Sequence, residues 1–124
     1  MSDSDNMEIV WTTIGYDERP VILKATSLRH IISGRIINDL TEDEWSKIVK
    51  ETIENVDIVA SSEFDNTLVH IKQVDSIESL KGQWLNVPVN YQVGIGDVQT
   101  AIPTEIVEKG NKIIYVREGL WDKL

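Results

Sequence analysis

One histidine stands beside two arginines at a spacing that suits phosphodiester chemistry. His30 follows Arg29 in the segment Leu28-Arg29-His30-Ile31-Ile32, and Arg35 comes shortly after it. A histidine titrates near neutral pH and can move a proton to or from a reacting oxygen, while a guanidinium stabilises charge on a phosphate. The pattern therefore predicts a proton-transfer residue beside a cationic clamp. The alternative is a histidine at the edge of an apolar helix stripe, with a structural hydrogen bond only.

A second candidate segment carries two hydroxyl groups around a proline. Thr100 and Thr104 flank Pro103, which we expect to end a strand. Hydroxyls and free amides at an open strand end can hold a phosphate oxygen. Tyr115 and Arg117, on the last predicted strand, add possible donors. The alternative for the two threonines is that they are present only because threonine favours β-strands. The alternative for Tyr115 and Arg117 is that they are ordinary surface residues of a sheet.

Other motifs fit structural roles better. Gly94-Ile95-Gly96-Asp97 precedes a strand, so it predicts a hairpin turn rather than a phosphate loop, which leads into a helix. The histidines His30 and His70 are far apart, the chain has no cysteine, and no acidic loop resembles a calcium site. We therefore expect no metal site and no cofactor, and we expect His70 to lie on the surface of a strand.

The helical period of the apolar residues predicts two helices. Thr26-Ser27 is expected to cap the first helix, which should fail near Asn38-Asp39. Thr41-Glu42-Asp43-Glu44 fits a capping box, and it predicts a second helix over residues 42–55. The predicted buried stripes contain Leu28, Ile31, Ile32 and Ile36 in the first helix, and Trp45, Ile48, Val49, Thr52, Ile53 and Val56 in the second.

The remaining segments predict strands. Residues 7–11 and 20–24 are expected as edge strands, and an alternating pattern predicts strands at 67–74, 85–93, 98–102 and 112–116. The expected fold class is α+β, in which two helices from the N-terminal half pack on an antiparallel sheet, a meander formed mainly by the C-terminal half.

Composition predicts a single domain over residues 1–124, with residues 1–6 as a disordered leader. The chain has 124 residues and a formal charge of −9, and it shows neither a signal peptide pattern nor an apolar run of membrane length. We therefore expect a cytoplasmic protein without a membrane partner. The segment 39–65 holds nine acidic residues against Lys47 and Lys50. It predicts either a solvated helix face or a surface for a basic protein partner, formed by Glu42, Asp43, Glu44, Glu51 and Glu54.

Five segments in this order carry a resemblance to a known family: Pro20-Val21-Ile22-Leu23, Leu28-Arg29-His30-Ile31, Leu40-Thr41-Glu42-Asp43-Glu44-Trp45, Thr52-Ile53-Glu54-Asn55-Val56-Asp57 and Val98-Gln99-Thr100-Ala101-Ile102-Pro103-Thr104. Over about residues 20–104 the chain resembles the phage-associated branch of the barnase–EndoU–colicin–RelE-like, toxin-type nucleases. The resemblance implies a metal-independent ribonuclease that acts on tRNA or other cellular RNA through attack of the 2′-hydroxyl. It implies proton transfer by His30, stabilisation of the charged phosphate by Arg35, Thr100 and Thr104, and RNA binding by Arg29, Tyr115 and Arg117.

Two functions from different classes therefore stand as hypotheses. The first is the ribonuclease, with RNA as its partner, for which His30 and Thr100 should converge in a cleft with Arg35 or Arg117. The second is a non-catalytic acidic binding protein, such as an immunity protein or a phage inhibitor that covers a basic nuclease. Members of the nuclease family often carry a second histidine after the first, and Gly34-Arg35-Ile36 has none.

Overall fold

A computed structural model describes residues 8–34, 40–75, 77–92, 94–104 and 112–120. Within these ranges the chain forms two α-helices and eight strands, and a short 3-10 helix, Glu78–Leu80, precedes the fifth strand. The expected α+β class is confirmed. The elements are β1 (Ile9–Ile14), β2 (Pro20–Lys24), α1 (Ala25–Ser33), α2 (Glu42–Glu54), β3 (Ile58–Ser61), β4 (Thr67–Gln73), β5 (Trp84–Asn90), β6 (Gly96–Val98), β7 (Ile102–Thr104) and β8 (Ile113–Val116).

The strands form one mostly antiparallel sheet in the order β1-β2-β6-β5-β4-β3-β8, and β7 pairs with β5. The pairing of β2 with β6 is parallel, so the N-terminal hairpin joins the strands of the C-terminal half. The prediction of an edge strand is therefore confirmed for β1 and wrong for β2. Gly96 makes this junction possible, because a Cβ atom there would lie only 2.7 Å from Cγ1 of Val89 and 3.0 Å from Cγ2 of Val21.

Helix α1 begins earlier than predicted. Lys24 is the N-cap in an extended conformation, without a side-chain cap, so the predicted cap at Thr26-Ser27 is wrong. The amide of Ala25 donates to the carbonyl of Glu8 at 2.9 Å, which satisfies one of the first-turn amides that have no partner within the helix. The predicted end of this helix near Asn38-Asp39 lies outside the described residues, as do Arg35 and Ile36.

Helix α2 confirms the strongest local prediction. The Thr41 hydroxyl accepts from the amide of Glu44 at 3.1 Å, and the Glu44 carboxylate accepts from the amide of Thr41 at 2.9 Å. The helix ends at Glu54 with Asn55 as its C-cap. Every residue of the predicted stripe is buried: Trp45, Ile48, Val49, Thr52, Ile53 and Val56.

The two faces of the sheet are covered differently. One face packs against both helices and holds the main core, to which β5 contributes the buried residues Leu85, Val87 and Val89, as their alternation predicts. A smaller cluster of Ile58, Ile71 and Leu120 lies on the other face. Strand β4 supplies both clusters, because its successive side chains point to opposite faces.

Four local expectations in the second half of the chain are wrong in whole or in part. His70 is fully buried rather than at the surface, because β4 is an inner strand and its residue 70 faces the helix side of the sheet. Pro103 lies inside β7 instead of ending a strand. Because β5 is the one strand paired with β7 in the described chain, the missing N–H of Pro103 is tolerated. Gly96 and Asp97 belong to β6, so only Gly94 and Ile95 of the predicted turn lie in the connection. The strand predicted at 98–102 is replaced by two short strands, β6 and β7, with residues 99–101 between them.

Candidate functional site

The residues predicted for proton transfer lie on the surface of α1. Arg29 and His30 are both exposed, near the C-terminal end of the helix, and the carbonyl of His30 accepts from the amide of Gly34 at 3.0 Å. Arg35 lies outside the described residues. The structure thus leaves His30 and Arg29 in solvent on one helix.

The two threonines occupy different local settings. Thr100 is half-buried in the link between β6 and β7, beside the fully buried Ala101. Thr104 lies in β7, where its hydroxyl accepts from the side-chain amide of Asn86 at 2.9 Å and lies 3.4 Å from the carbonyl of Trp84. The Thr104 hydroxyl is therefore used to join β7 to β5.

Arg117 is separated from the threonine segment by the width of the sheet. Strands β5, β4 and β3 lie between β6 and β8. With a spacing of about 4.8 Å between neighbouring strands, the distance along the sheet is roughly 19 Å. The convergence of Thr100 with Arg117 that the ribonuclease hypothesis requires is therefore not favoured by the strand order.

Tyr115 and Arg117 instead line a polar cleft, here called the tyrosine cleft. The cleft has a volume of about 540 Å³ and lies between the tip of the β1–β2 hairpin, the C-terminal end of α2, and strands β4 and β8. It is lined by Gly15, Tyr16, Glu54, Asn55, Val56, Lys72, Tyr115 and Arg117. The fold thus brings Tyr115 and Arg117 together with Tyr16 and Lys72, two residues to which the sequence analysis assigned no role.

A buried carboxylate holds the two cations of the tyrosine cleft. Asp57 is 4% exposed. Its Oδ1 accepts from Nε of Arg117 at 2.7 Å and lies 3.8 Å from Nζ of Lys72. Its Oδ2 accepts from the amide of Gln73 at 3.0 Å. Because this pairing uses only Nε of Arg117, whose side chain is 48% exposed, the guanidinium keeps further N–H donors for a ligand.

Aromatic rings form a row beneath the hairpin tip. The ring of Tyr16 lies 5.3 Å from that of Tyr115 and 6.0 Å from that of His70, measured between centroids. The His70 ring in turn lies 6.4 Å from that of Tyr91, over which the Arg19 guanidinium sits at 3.9 Å. Asp17 pairs with Arg19 and holds this cation in place. The row fixes the tip of the hairpin and one wall of the tyrosine cleft.

His70 is neutral at physiological pH and cannot serve as a surface acid or base. Burial lowers its pKa to about 4, although backbone groups of Val87 and Leu68 oppose this shift. Its Nε2 lies 3.4 Å from the Tyr91 hydroxyl, and its Nδ1 makes no hydrogen bond within the described chain. Its role is to pack between Tyr16 and Tyr91.

The hydroxyls of Tyr16 and Tyr91 stay protonated at neutral pH. Burial raises the pKa of Tyr91 to about 12, and it raises the pKa of Tyr16 as well, with the negative charge of Asp17 acting in the same direction. Both side chains can therefore donate hydrogen bonds. Tyr16 offers its donor on the tyrosine cleft itself.

The acidic residues of α2 have partly local roles. Glu44 completes the capping box, Asp43 pairs with Lys47 at 2.9 Å, and Glu54 accepts from the hydroxyl of Thr13. Glu42 and Glu51 are exposed. The predicted partner surface on α2 is thus acidic and largely solvated, with three of its five carboxylates engaged within the fold.

Sequence reasoning missed Tyr16, Asp57 and Lys72. Tyr16 lies in the turn-like segment between the first two predicted strands. Asp57 follows the last apolar residue of the α2 stripe. The one available signal was the alternation in β4, which places Lys72 on the same face as His70. Nothing local to these three residues indicates that they meet, because β4, β8 and the hairpin come together only through the sheet.

The described residues contain no group of three His, Asp or Glu side chains placed to hold a metal ion. They also contain no helix that is long and apolar enough to cross a membrane. Neither the models of known families, nor the curated proteins, nor the solved structures gave a match to this chain.

Proposed function

We propose that the protein is a ribonuclease-like domain that binds RNA in the tyrosine cleft. The observation that carries this proposal is the pair of rings, Tyr16 and Tyr115, beside Lys72 and Arg117 around one opening. Bases of single-stranded RNA stack on aromatic rings, and phosphates bind cations nearby. RNA loops such as those of tRNA fit best, because their bases can turn out of the stack. A toxin or phage association and a cytoplasmic location belong to the same proposal.

The reaction proposed is metal-independent cleavage. The 2′-hydroxyl attacks the adjacent phosphorus, the bond to the 5′-oxygen breaks, and the products carry a 2′,3′-cyclic phosphate and a 5′-hydroxyl. One group accepts the proton of the 2′-hydroxyl, and another group donates a proton to the leaving oxygen. Glu54 lines the cleft with one carboxylate oxygen bonded to the Thr13 hydroxyl, and its other oxygen is suited to accept the first proton. Arg117 and Lys72 are suited to stabilise charge on the phosphate.

His30 remains the competing candidate for proton transfer. It is exposed on α1 and is not among the residues that line the tyrosine cleft. The two sites therefore predict different sensitive residues. Glu54→Gln removes activity if the cleft is the reaction centre, and His30→Ala removes activity if the α1 surface is.

Binding is tested with a fluorescently labelled single-stranded RNA, by anisotropy in EDTA. We expect Tyr115→Ala and Lys72→Ala each to weaken binding about tenfold, which corresponds to the loss of one stacking or phosphate contact. Lys81→Ala is the matched control, because it removes one exposed cation that does not line the cleft. An equal loss in Lys81→Ala, or no binding by the parent protein, would contradict the proposal.

Cleavage is tested with total tRNA in EDTA, using the parent protein, Glu54→Gln and His30→Ala in parallel. Loss of cleavage in Glu54→Gln with retention in His30→Ala supports the tyrosine cleft. The reverse result moves the reaction centre to α1. Absence of cleavage together with RNA binding would limit the function to binding.

A further inference from the structure

The turn between β3 and β4 presents an aromatic side chain to solvent. Phe64 is 69% exposed, the highest value among the large apolar side chains of the described chain. It stands between Glu63 and Asp65, which are both exposed. A phenyl ring that is mostly exposed contributes little hydrophobic stabilisation to the isolated fold, so its apolar surface remains available to a partner.

The backbone of this turn is fixed although the ring is not packed. The amide of Phe64 donates to the Ser62 hydroxyl at 3.2 Å, and its carbonyl accepts from the amide of Thr67 at 3.3 Å. Asn66 has a positive φ of 59°, and its carbonyl accepts from the amide of Tyr91 at 2.7 Å. Asparagine tolerates this left-handed conformation better than most residues.

Fixation of the turn matters for binding, because an anchor that is already held in one position loses less conformational entropy when a partner engages it. The side-chain amide of Asn90 adds a further tie, since it donates to the Thr67 hydroxyl at 3.2 Å. A shallow groove of about 380 Å³ lies beside Phe64, and its lining includes Asp65 and Arg19, whose charge is paired with Asp17. The turn therefore offers an exposed ring, a groove beside it and the two carboxylates of Glu63 and Asp65 on a fixed backbone.

We propose that this turn, residues 62–66, is a docking surface for a basic protein. Phe64 would enter an apolar pocket of the partner, while Glu63 and Asp65 pair with lysines or arginines around that pocket. Aromatic anchors surrounded by polar groups carry much of the energy of protein interfaces. Complementary charge also raises the association rate and excludes wrong partners.

The charge of the turn favours a basic protein over nucleic acids, anionic membranes and a second copy of the chain. At this turn the exposed carboxylates of Glu63 and Asp65 repel the phosphates of nucleic acids and of anionic membranes. A second copy of the chain carries the same charge and the same acidic turn, so its approach is also opposed. A basic protein is the occupant for which both the ring and the carboxylates contribute favourably.

The inference does not depend on RNA binding. Phe64 precedes the first residue of β4, whereas Lys72 lies near the other end of the strand. The five residue-to-residue steps from Thr67 to Lys72 span about 17 Å, so the turn and the tyrosine cleft can be tested separately. Substitutions in the turn should leave RNA binding unchanged, and substitutions in the cleft should leave docking unchanged.

The probe is a short synthetic amphipathic peptide with a leucine stripe flanked by lysines, titrated into isotope-labelled protein and followed by NMR. We expect shifts at the amides of residues 62–66 that weaken as salt is added. Two control peptides replace either the lysines with glutamates or the leucines with serines, and neither should bind. Phe64→Ala should weaken binding more than tenfold. Ile95→Ala, which truncates another exposed apolar side chain, should not weaken it.

The double variant Glu63→Lys with Asp65→Lys reverses the charge of the turn. It should bind the glutamate control peptide more tightly than the lysine peptide. Equal binding of all three peptides, or shifts confined to α2, would overturn the proposal. Self-association in sedimentation that disappears in Phe64→Ala would assign the turn to a second copy of the chain instead. Circular dichroism of each variant checks that the fold is intact.

Discussion

The tyrosine cleft and the β3–β4 turn differ in how each holds its functional side chains. In the cleft, Arg117 and Lys72 are held by the buried Asp57, so the charged groups are part of the fold. In the turn, hydrogen bonds fix the backbone and the Phe64 ring stays in solvent. The proposed RNA site thus depends on a buried carboxylate that positions its cations, whereas the proposed protein anchor depends on a fixed backbone alone.

The largest effect is expected in the cleft, for Asp57→Ala. This change leaves two cations and the amide of Gln73 without their acceptor. The free energy of unfolding should fall by about 3–5 kcal/mol, measured by urea denaturation. Asp43→Ala is the control, since Asp43 is exposed and its pair with Lys47 should contribute less than about 1 kcal/mol. Similar losses for both variants would show that Asp57 does not support the cleft.

The next effect is a pH dependence caused by His70. Its lowered pKa of about 4 means that the unfolded chain binds a proton below pH 6.5 that the folded chain does not bind. Stability is therefore greatest above pH 6.5, and it falls as the pH drops towards 4, by about 3 kcal/mol. The difference in pH dependence between the parent protein and His70→Gln measures this contribution. Identical slopes for the two proteins would contradict the buried neutral state.

A smaller effect is expected from Gly96→Ala, at the junction beside the aromatic row. The added methyl group would meet Cγ1 of Val89 at 2.7 Å and Cε2 of Tyr91 at 2.8 Å. Overpacking of this kind costs about 1–3 kcal/mol, measured by thermal or urea unfolding. Because Tyr91 contacts His70, the NMR signals of the His70 ring should shift as well. Unchanged signals of the His70 ring would indicate that packing at Gly96 does not affect the row of aromatic rings.

The smallest effect is expected in the turn, for Phe64→Ala. The ring is 69% exposed, so its loss should change the free energy of unfolding by less than about 0.5 kcal/mol. Binding of the basic peptide should weaken more than tenfold all the same. A stability loss above about 2 kcal/mol would place Phe64 in the structural core and remove the contrast between the two regions.

The two histidines show which features of a side chain's environment could be predicted from the sequence. Both lie in apolar segments. The pattern leaves His30 either as a proton-transfer residue or as a boundary residue of its helix, and it predicts a surface position for His70. His30 is indeed exposed, because its helix is amphipathic and position 30 lies outside the buried stripe. His70 is buried because the tip of a distant hairpin and an inner strand position cover it, and alternation alone cannot reveal such a cover.

The candidate site could be predicted only in part for the same reason. Tyr115 and Arg117 were identified as possible donors from their residue types, and both lie on the tyrosine cleft. Their partners Tyr16, Lys72 and Asp57 come from three other parts of the chain. Their proximity depends on the pairing of β8 with β3, and no local sequence pattern predicts that pairing.

The sequence by itself determined helix α2, its capping box, the alternating core positions of β5 and the α+β class. These features depend on contacts between residues a few positions apart or on periodicity, so they can be derived locally. The tertiary structure alone decided the parallel pairing of β2 with β6, the burial of His70 and the assembly of the tyrosine cleft. These features depend on contacts between residues far apart in the chain, whose formation is set by the packing of the whole sheet.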